Sequence, residues 1–184
     1  MNLIGRGCSS KIYKEGNYVY KFFVKGHKYF MNEIDTYNRL SKLNLPSIVK
    51  YDNIDYDKKC IKMKYYPYNL EEYFEGKYDF TLSKVKIDSI LETIIYTLKV
   101  LHYYNITHGD YKAKNILLDE DFNPVIIDFD LGITGTIDDD NKKLHLLAYQ
   151  LLYNVCYKPN LYNNYKTKMK ELEKYHPFIM KLIK

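Results

Sequence analysis

Asp110, Lys112 and Asn115 fall in one short run, His108-Gly109-Asp110-Tyr111-Lys112-Ala113-Lys114-Asn115, and a second carboxylate follows in Asp128-Phe129-Asp130. Phosphoryl transfer draws on this inventory. One carboxylate orients an attacking hydroxyl, an amide and a second carboxylate hold Mg²⁺, and a lysine neutralises charge on the phosphate in transit. Taken singly, Asp110 and Asn115 are ordinary turn formers and Asp128 is an ordinary carboxylate at the end of a strand. Their joint order and spacing, after a long helical pattern and around an apolar hairpin, point to chemistry instead.

Two stretches upstream complete the inventory. In Ile4-Gly5-Arg6-Gly7-Cys8-Ser9-Ser10-Lys11-Ile12-Tyr13, a pair of glycines ahead of a strand lets backbone amides approach a phosphate closely. A lone G-x-G is usually only a turn, but this one opens a β-hairpin that leads to a lysine. That lysine, Lys21, stands in the otherwise aromatic run Tyr20-Lys21-Phe22-Phe23, with Glu33 in a helical pattern downstream. An ion pair between them would hold a cation against the α- and β-phosphates of a nucleotide.

The elements that must position these groups are readable in outline. Strands at 11–14 and 18–24 flank the turn Glu15-Gly16-Asn17. Phe30, Ile34, Tyr37 and Leu40 recur at helical spacing over 28–43, and Asn44 with Pro46 ends that segment. Strand-like runs follow at 48–56 and 59–65 around Asp57-Lys58. Asn69 caps a short helix at 70–74, and Thr81-Leu82-Ser83 opens a long one reaching about Tyr104. Short apolar runs at 116–118 and 124–127 make a second hairpin, and the pattern from Asn141 onward is helical. A strand-rich part with one helix therefore precedes a helix-rich part, and the seam lies near 65–69.

Composition narrows the classes. At 184 residues, 46% hydrophobic and 28% charged, the chain is of a size and make-up to fold as one unit without staples. It has 22 tyrosines and no tryptophan, and only Arg6 and Arg39 among its 28 basic residues are arginine. The net charge of +5 is interspersed, with no arginine cluster and no long like-charge run, which argues against a dedicated nucleic-acid binder. Cys8, Cys60 and Cys156 are odd in number and far apart, so the expectation is a reducing, cytoplasmic setting without disulfides or zinc spacing. No apolar run is long enough for a membrane span, and no signal-peptide core opens the chain. His27, His102, His145 and His176 are scattered and read as structural. Asp138-Asp139-Asp140 reads as a solvated acidic turn ahead of a helix, and Lys166, Lys168, Lys170 and Lys174 as a solvated helix face.

Over residues 3–155 the motif order and spacing resemble the protein-kinase superfamily. Residues 4–13 are similar to its glycine-rich loop, with Ser10 in place of the third glycine, so Ile4, Gly5, Gly7 and Ile12 are implied to border ATP. Lys21 resembles the phosphate-binding lysine and Glu33 its helical partner. Met63-Lys64-Tyr65-Tyr66 resembles the gatekeeper and hinge, with Met63 and Tyr65 facing adenine. Asp110 matches the base, Lys112 the lysine on the γ-phosphate, and Asn115 and Asp128 the metal-binding pair.

The resemblance implies a two-lobed α+β fold: a small antiparallel N-lobe sheet with one helix (about 1–66) and a truncated, mainly helical C-lobe (about 67–184). It implies ATP and Mg²⁺ as cofactors and a serine or threonine of a protein as acceptor. Four departures stand out. Gly109 replaces the arginine of many regulated kinases, so control by a phosphorylated loop is not expected. Asp130 replaces the glycine of D-F-G. Residues 131–140 form a segment too short for the usual peptide-binding region. Lys143 stands where an anchoring aspartate of the central helix falls, with Asp140 one turn earlier as its substitute. A kinase-shaped binding protein that engages a partner kinase, and a small-molecule kinase, are the competing readings.

Overall fold

Strand β3 (Tyr18–Phe23) shows how the first sheet is built. Val19, Lys21 and Phe23 turn inward while Tyr18, Tyr20 and Phe22 face outward, the two-residue period of a sheet with one covered face. Its partners are β1 (Asn2–Arg6), β2 (Ser10–Glu15), β4 (Tyr51–Asp55) and β5 (Cys60–Lys64), arranged β1-β2-β3-β5-β4 with every neighbour antiparallel. Gly16, at φ 57°, makes the tight β2–β3 turn that a side chain would strain. The structure, a computed structural model, describes residues 1–24, 26–129, 135–155 and 165–183.

Helix α1 (His27–Leu40) covers the sheet with the stripe Phe30, Glu33, Ile34 and Leu40, all buried. Spacings of three and four residues put these side chains on one face. Phe30 and Ile34 join Val19, Phe23, Ile61 and Met63 in one apolar cluster, so Glu33 sits among hydrophobic neighbours facing the inward side of β3. Asn44, left-handed at φ 48°, ends the segment as the sequence indicates.

The second body is assembled around α3 (Lys84–Tyr103). Ser83 caps it by accepting the Lys86 N–H, and Ile90, Leu91, Ile94, Ile95, Leu98 and Leu101 form its buried face. Asn69 caps α2 (Leu70–Phe74) through the N–H groups of Glu71 and Glu72. A three-stranded sheet, β6 (Tyr68–Asn69), β7 (Ile116–Leu118) and β8 (Pro124–Ile126), lies between these helices and the cleft. The two bodies share a seam at Ile126, whose N–H donates to the Ser47 carbonyl at 2.7 Å and whose carbonyl accepts the Val49 N–H at 3.1 Å.

Helix α4 (Ile137–Tyr153) packs on α3, and α5 (Tyr165–Tyr175) and α6 (Pro177–Ile183) pack against α4. The antiparallel sheet followed by a mainly helical body is the two-part α+β architecture that the sequence implies. Three details differ from the sequence reading. The run at 48–56 is a strand only from Tyr51, because Ile48 instead makes a parallel bridge to Ile126. Strand β6, too short for a periodic signal, was not expected. Helix α4 begins four residues before Asn141, because Thr136 caps it by accepting the Asp139 N–H. That cap draws the acidic triplet into the first turn, and Asp140 is fully buried rather than solvated. Asp130, residues 131–134 and Cys156 lie outside the described residues.

Candidate active site

Inward placement on β3 leaves Lys21 a buried ammonium, a costly arrangement unless it is paired. Two carboxylates pair it: Lys21 Nζ lies 2.5 Å from Glu33 Oε2 and 2.5 Å from Asp128 Oδ1. Burial alone would lower the pKa of Lys21, but Glu33 and Asp128 reverse the sign and hold it well above its ordinary value. Burial likewise works to raise Asp128, and the Lys21 charge outweighs it, holding this carboxylate below the usual range. Asp128 directly follows Ile127 after β8, with a left-handed backbone at φ 69°, so its carboxylate turns out of the strand line toward Lys21.

A third group was not anticipated. Tyr51 on β4 donates its hydroxyl to Glu33 Oε1 at 2.6 Å, so both oxygens of Glu33 are held. The Tyr51 ring stacks on Tyr37 with 3.9 Å between centroids, and the Tyr37 hydroxyl accepts the Tyr51 N–H. Burial, then the Glu33 charge, pushes the Tyr51 phenol well above its ordinary value, so it remains a donor.

The loop between α3 and β7 carries the second cluster. Lys112 Nζ lies 2.6 Å from Asp110 Oδ2. Asn115 donates its amide to the Asp110 main-chain carbonyl at 2.9 Å and to Oδ2 at 3.2 Å, which leaves the Asn115 carbonyl oxygen for another ligand. The loop is braced from outside, because Asn69, the α2 cap, donates its amide to the Lys114 carbonyl at 2.7 Å.

His108 braces the loop from within. Its Nδ1 accepts the Asp110 N–H at 3.2 Å, and its Nε2 faces the Ile127 carbonyl at 2.9 Å. These contacts fix a neutral ring protonated at Nε2. Burial lowers its pKa in the same direction, against the pull of Asp140. Its ring packs on Phe129, 4.5 Å away.

Helix α4 supplies the floor. Asp140 accepts the N–H of His108 at 2.7 Å and of Gly109 at 2.9 Å, and lies 3.3 Å from His102 Nε2. Burial works to raise its pKa, but these donors hold it below the ordinary carboxylate range. Asp140 thus occupies the anchoring place that the sequence left between it and Lys143. Lys143 reaches the same loop from one turn further on, donating to the Gly109 carbonyl at 2.5 Å with Asp110 Oδ1 at 3.8 Å. Gly135, just ahead of the helix, touches Gly109 so closely that a Cβ there would stand 2.5 Å from the Gly109 Cα.

All the residues singled out from the sequence border one cleft of about 900 Å³. Ile4, Gly5, Gly7, Ile12, Lys21, Glu33, Met63 and Tyr65 contribute from the sheet side, and Asp110, Lys112, Asn115 and Asp128 from the helical side. The glycine loop is closed by the Gly7 N–H donating to the Ser10 carbonyl at 2.9 Å. The Tyr65 N–H is donated to the Asn17 carbonyl at 2.8 Å, which ties the end of β5 to the β2–β3 turn. The sequence missed Tyr51, and it passed over His102 as a partner of Asp140 and Lys143 as a partner of the loop. The run Thr136-Ile137-Asp138-Asp139 was a usable signal, since a capped start there puts Asp140 and Lys143 on one helical face. Lys168, read as solvated, instead donates to the Tyr149 hydroxyl at 2.7 Å.

A family model described as the protein kinase domain matches residues 1–155. Among curated proteins, the chain is 31% identical over 142 residues to Serine/threonine-protein kinase ppk8 of Schizosaccharomyces pombe, covering 70% of this chain and 27% of that protein. It is 30% identical over 156 residues to Cysteine-rich receptor-like protein kinase 24 of Arabidopsis thaliana, covering 75% and 24%. It is 33% identical over 126 residues to Probable serine/threonine-protein kinase samkA of Dictyostelium discoideum, covering 66% and 18%. The chain therefore spans about a quarter or less of the length of these relatives.

Proposed function

The chain belongs to the protein kinase family, and from that premise we propose that it is an ATP- and Mg²⁺-dependent phosphotransferase acting on serine or threonine hydroxyls of proteins. The observation that carries this reading is the meeting of two charge clusters across one cleft: Lys21 between Glu33 and Asp128, and Asp110 between Lys112 and Asn115. The names of the relatives support a protein acceptor over a metabolite.

The donor set suits the metal. Among the described residues no group of three His, Cys, Asp or Glu side chains could cage an ion. Asn115 and Asp128 would offer two oxygen donors, which fits an ion that completes its shell with water and phosphate oxygens, as Mg²⁺ does. When bound, that ion supplies neutralisation of phosphate charge.

The chain's own residues do the rest. Lys21, kept protonated by its two carboxylates, would bind the non-transferred phosphates. Asp110 would orient the acceptor hydroxyl and take its proton as the oxygen–phosphorus bond forms and the bond to the departing nucleoside diphosphate breaks. Lys112, beside Asp110, would meet the negative charge of the phosphoryl group in transit.

The test is transfer from γ-labelled ATP with Mg²⁺, offered a basic protein mixture and a small-molecule extract separately, with wild type beside Asp110→Asn. The expected result is label on protein serine or threonine that falls about 100-fold or more in the variant while nucleotide binding persists. Label confined to the small-molecule pool would overturn the acceptor assignment. No label from folded wild type would overturn the enzyme.

A further inference from the structure

One contact beside the cleft has no part in the chemistry just described. Lys143 of α4 donates to the Gly109 carbonyl at 2.5 Å, and its ammonium stands 3.8 Å from Asp110 Oδ1. The Gly109–Asp110 peptide is the link from which the Asp110 side chain hangs. The N–H of that peptide donates to His108 Nδ1 at 3.2 Å, and its carbonyl is the group that Lys143 holds. One turn earlier on the same helix, Asp140 holds the preceding N–H, that of Gly109.

Gly109 itself sits at φ 79°, where its backbone has no helical or strand ladder to fix it. Without these side chains the peptide would be free to rotate. Lys143 is about three-quarters buried, so its bond to the carbonyl is a charge-assisted contact sheltered from water rather than a surface encounter. Among the described residues, the other charges facing this point are Lys112, on Asp110 Oδ2, and Asp140; Lys143 is the cation on the opposite carboxylate oxygen.

We propose that Lys143 is a positioning residue for phosphoryl transfer. With Asp140 it clasps the Gly109 backbone by both its N–H and its carbonyl, and so fixes the reach of the Asp110 carboxylate from within the helical body. This deepens the kinase reading and rests on it. A misplacement of about 1 Å at a reacting group costs on the order of 100-fold in rate, so a pin at this peptide is a rate device even though it touches no substrate.

The experiment compares wild type, Lys143→Met and Lys143→Arg by two readouts: amide hydrogen exchange at Asp110, and the separate kcat and KM for ATP. In Lys143→Met, exchange at Asp110 should quicken about fivefold or more, the equivalent of one lost hydrogen bond. Its kcat should fall about tenfold or more while KM for ATP stays within about twofold. Lys143→Arg, which keeps a cationic donor, should recover most of both. Where Lys143→Met fails to fold, Lys143→Gln, which keeps a neutral donor and loses the charge, takes its place with the same readouts and an intermediate loss.

Exchange and kcat that both stay at wild-type values overturn the role of Lys143. A loss of kcat matched by an equal loss of ATP affinity also overturns it, since that is the mark of general disruption. Quickened exchange in a chain whose wild type transfers no phosphate overturns the kinase reading and upholds the clasp.

Discussion

At the scale of single residues, the free protein already resolves its most expensive problem, a buried ammonium, by placing Glu33 and Asp128 on it. Tyr51 extends the same logic, because a carboxylate that gives one oxygen to Lys21 needs a donor on the other. Tyr51→Phe keeps the ring and its stack on Tyr37 but strands Glu33 Oε1 in an apolar setting. The expected cost is about 1–3 kcal/mol, read as a lower denaturation midpoint with an unchanged slope. Lys21 and Glu33 were legible in the sequence, since a lysine within an aromatic strand and a glutamate within an apolar helical stripe each demand a partner. Tyr51 was not. One tyrosine among 22 in the chain carries no mark of its own, and only the register of β4 against β5 aims it at Glu33.

At the scale of elements, α4 does what its place in the sequence disguised. Three aspartates ahead of an apolar pattern look like a solvated turn. The Thr136 cap winds them into the helix instead, and the hundred-degree step per residue sends Asp140 alone into the interior. Because the folded pKa of Asp140 is depressed, its stabilisation is fully present above the ordinary carboxylate value. It is lost as pH falls through the lowered folded value. Asp140→Ala, which orphans the N–H groups of His108 and Gly109, should therefore cost about 2–4 kcal/mol at neutral pH. The difference from wild type should shrink on acidification below about pH 4, a trend that urea titrations at a series of pH values would trace.

Just ahead of the helix, Gly135→Ala would drive a methyl into the Gly109 backbone, which is the partner of Asp140. A loss of about 1–3 kcal/mol is expected, with a fall in kcat that exceeds any change in ATP affinity. Thermal melts and steady-state kinetics on the same preparation would check both.

At the scale of the whole molecule, the cleft is built half from the sheet and half from the helical body, and Lys21–Asp128 is an ion pair across it. A ligand that engages both halves should stabilise the fold as a unit. Saturation with Mg²⁺-ATP to about 100 times Kd should add about 2.7 kcal/mol, or about 5–10 °C in Tm for a chain of this length. Chelation of the metal or Asp128→Asn should remove most of that gain. The overall α+β plan was legible because motif order along the chain mirrors the order of elements around the cleft. The seam itself was not, since β6 has two residues and the Ile48–Ile126 bridge joins positions far apart in sequence. Neither leaves a periodic trace.

The contact between Gly109 and Gly135 also constrains which residues the loop can accept. Position 109 is where the resemblance places arginine in relatives that answer to loop phosphorylation, and an arginine codon lies one base change from glycine's. In this chain the change would set a side chain on a left-handed backbone pressed against a second glycine and held by Asp140 and Lys143. The two touching backbones thus tie the choice of residue at 109 to that at 135, so a side chain at either is felt at both.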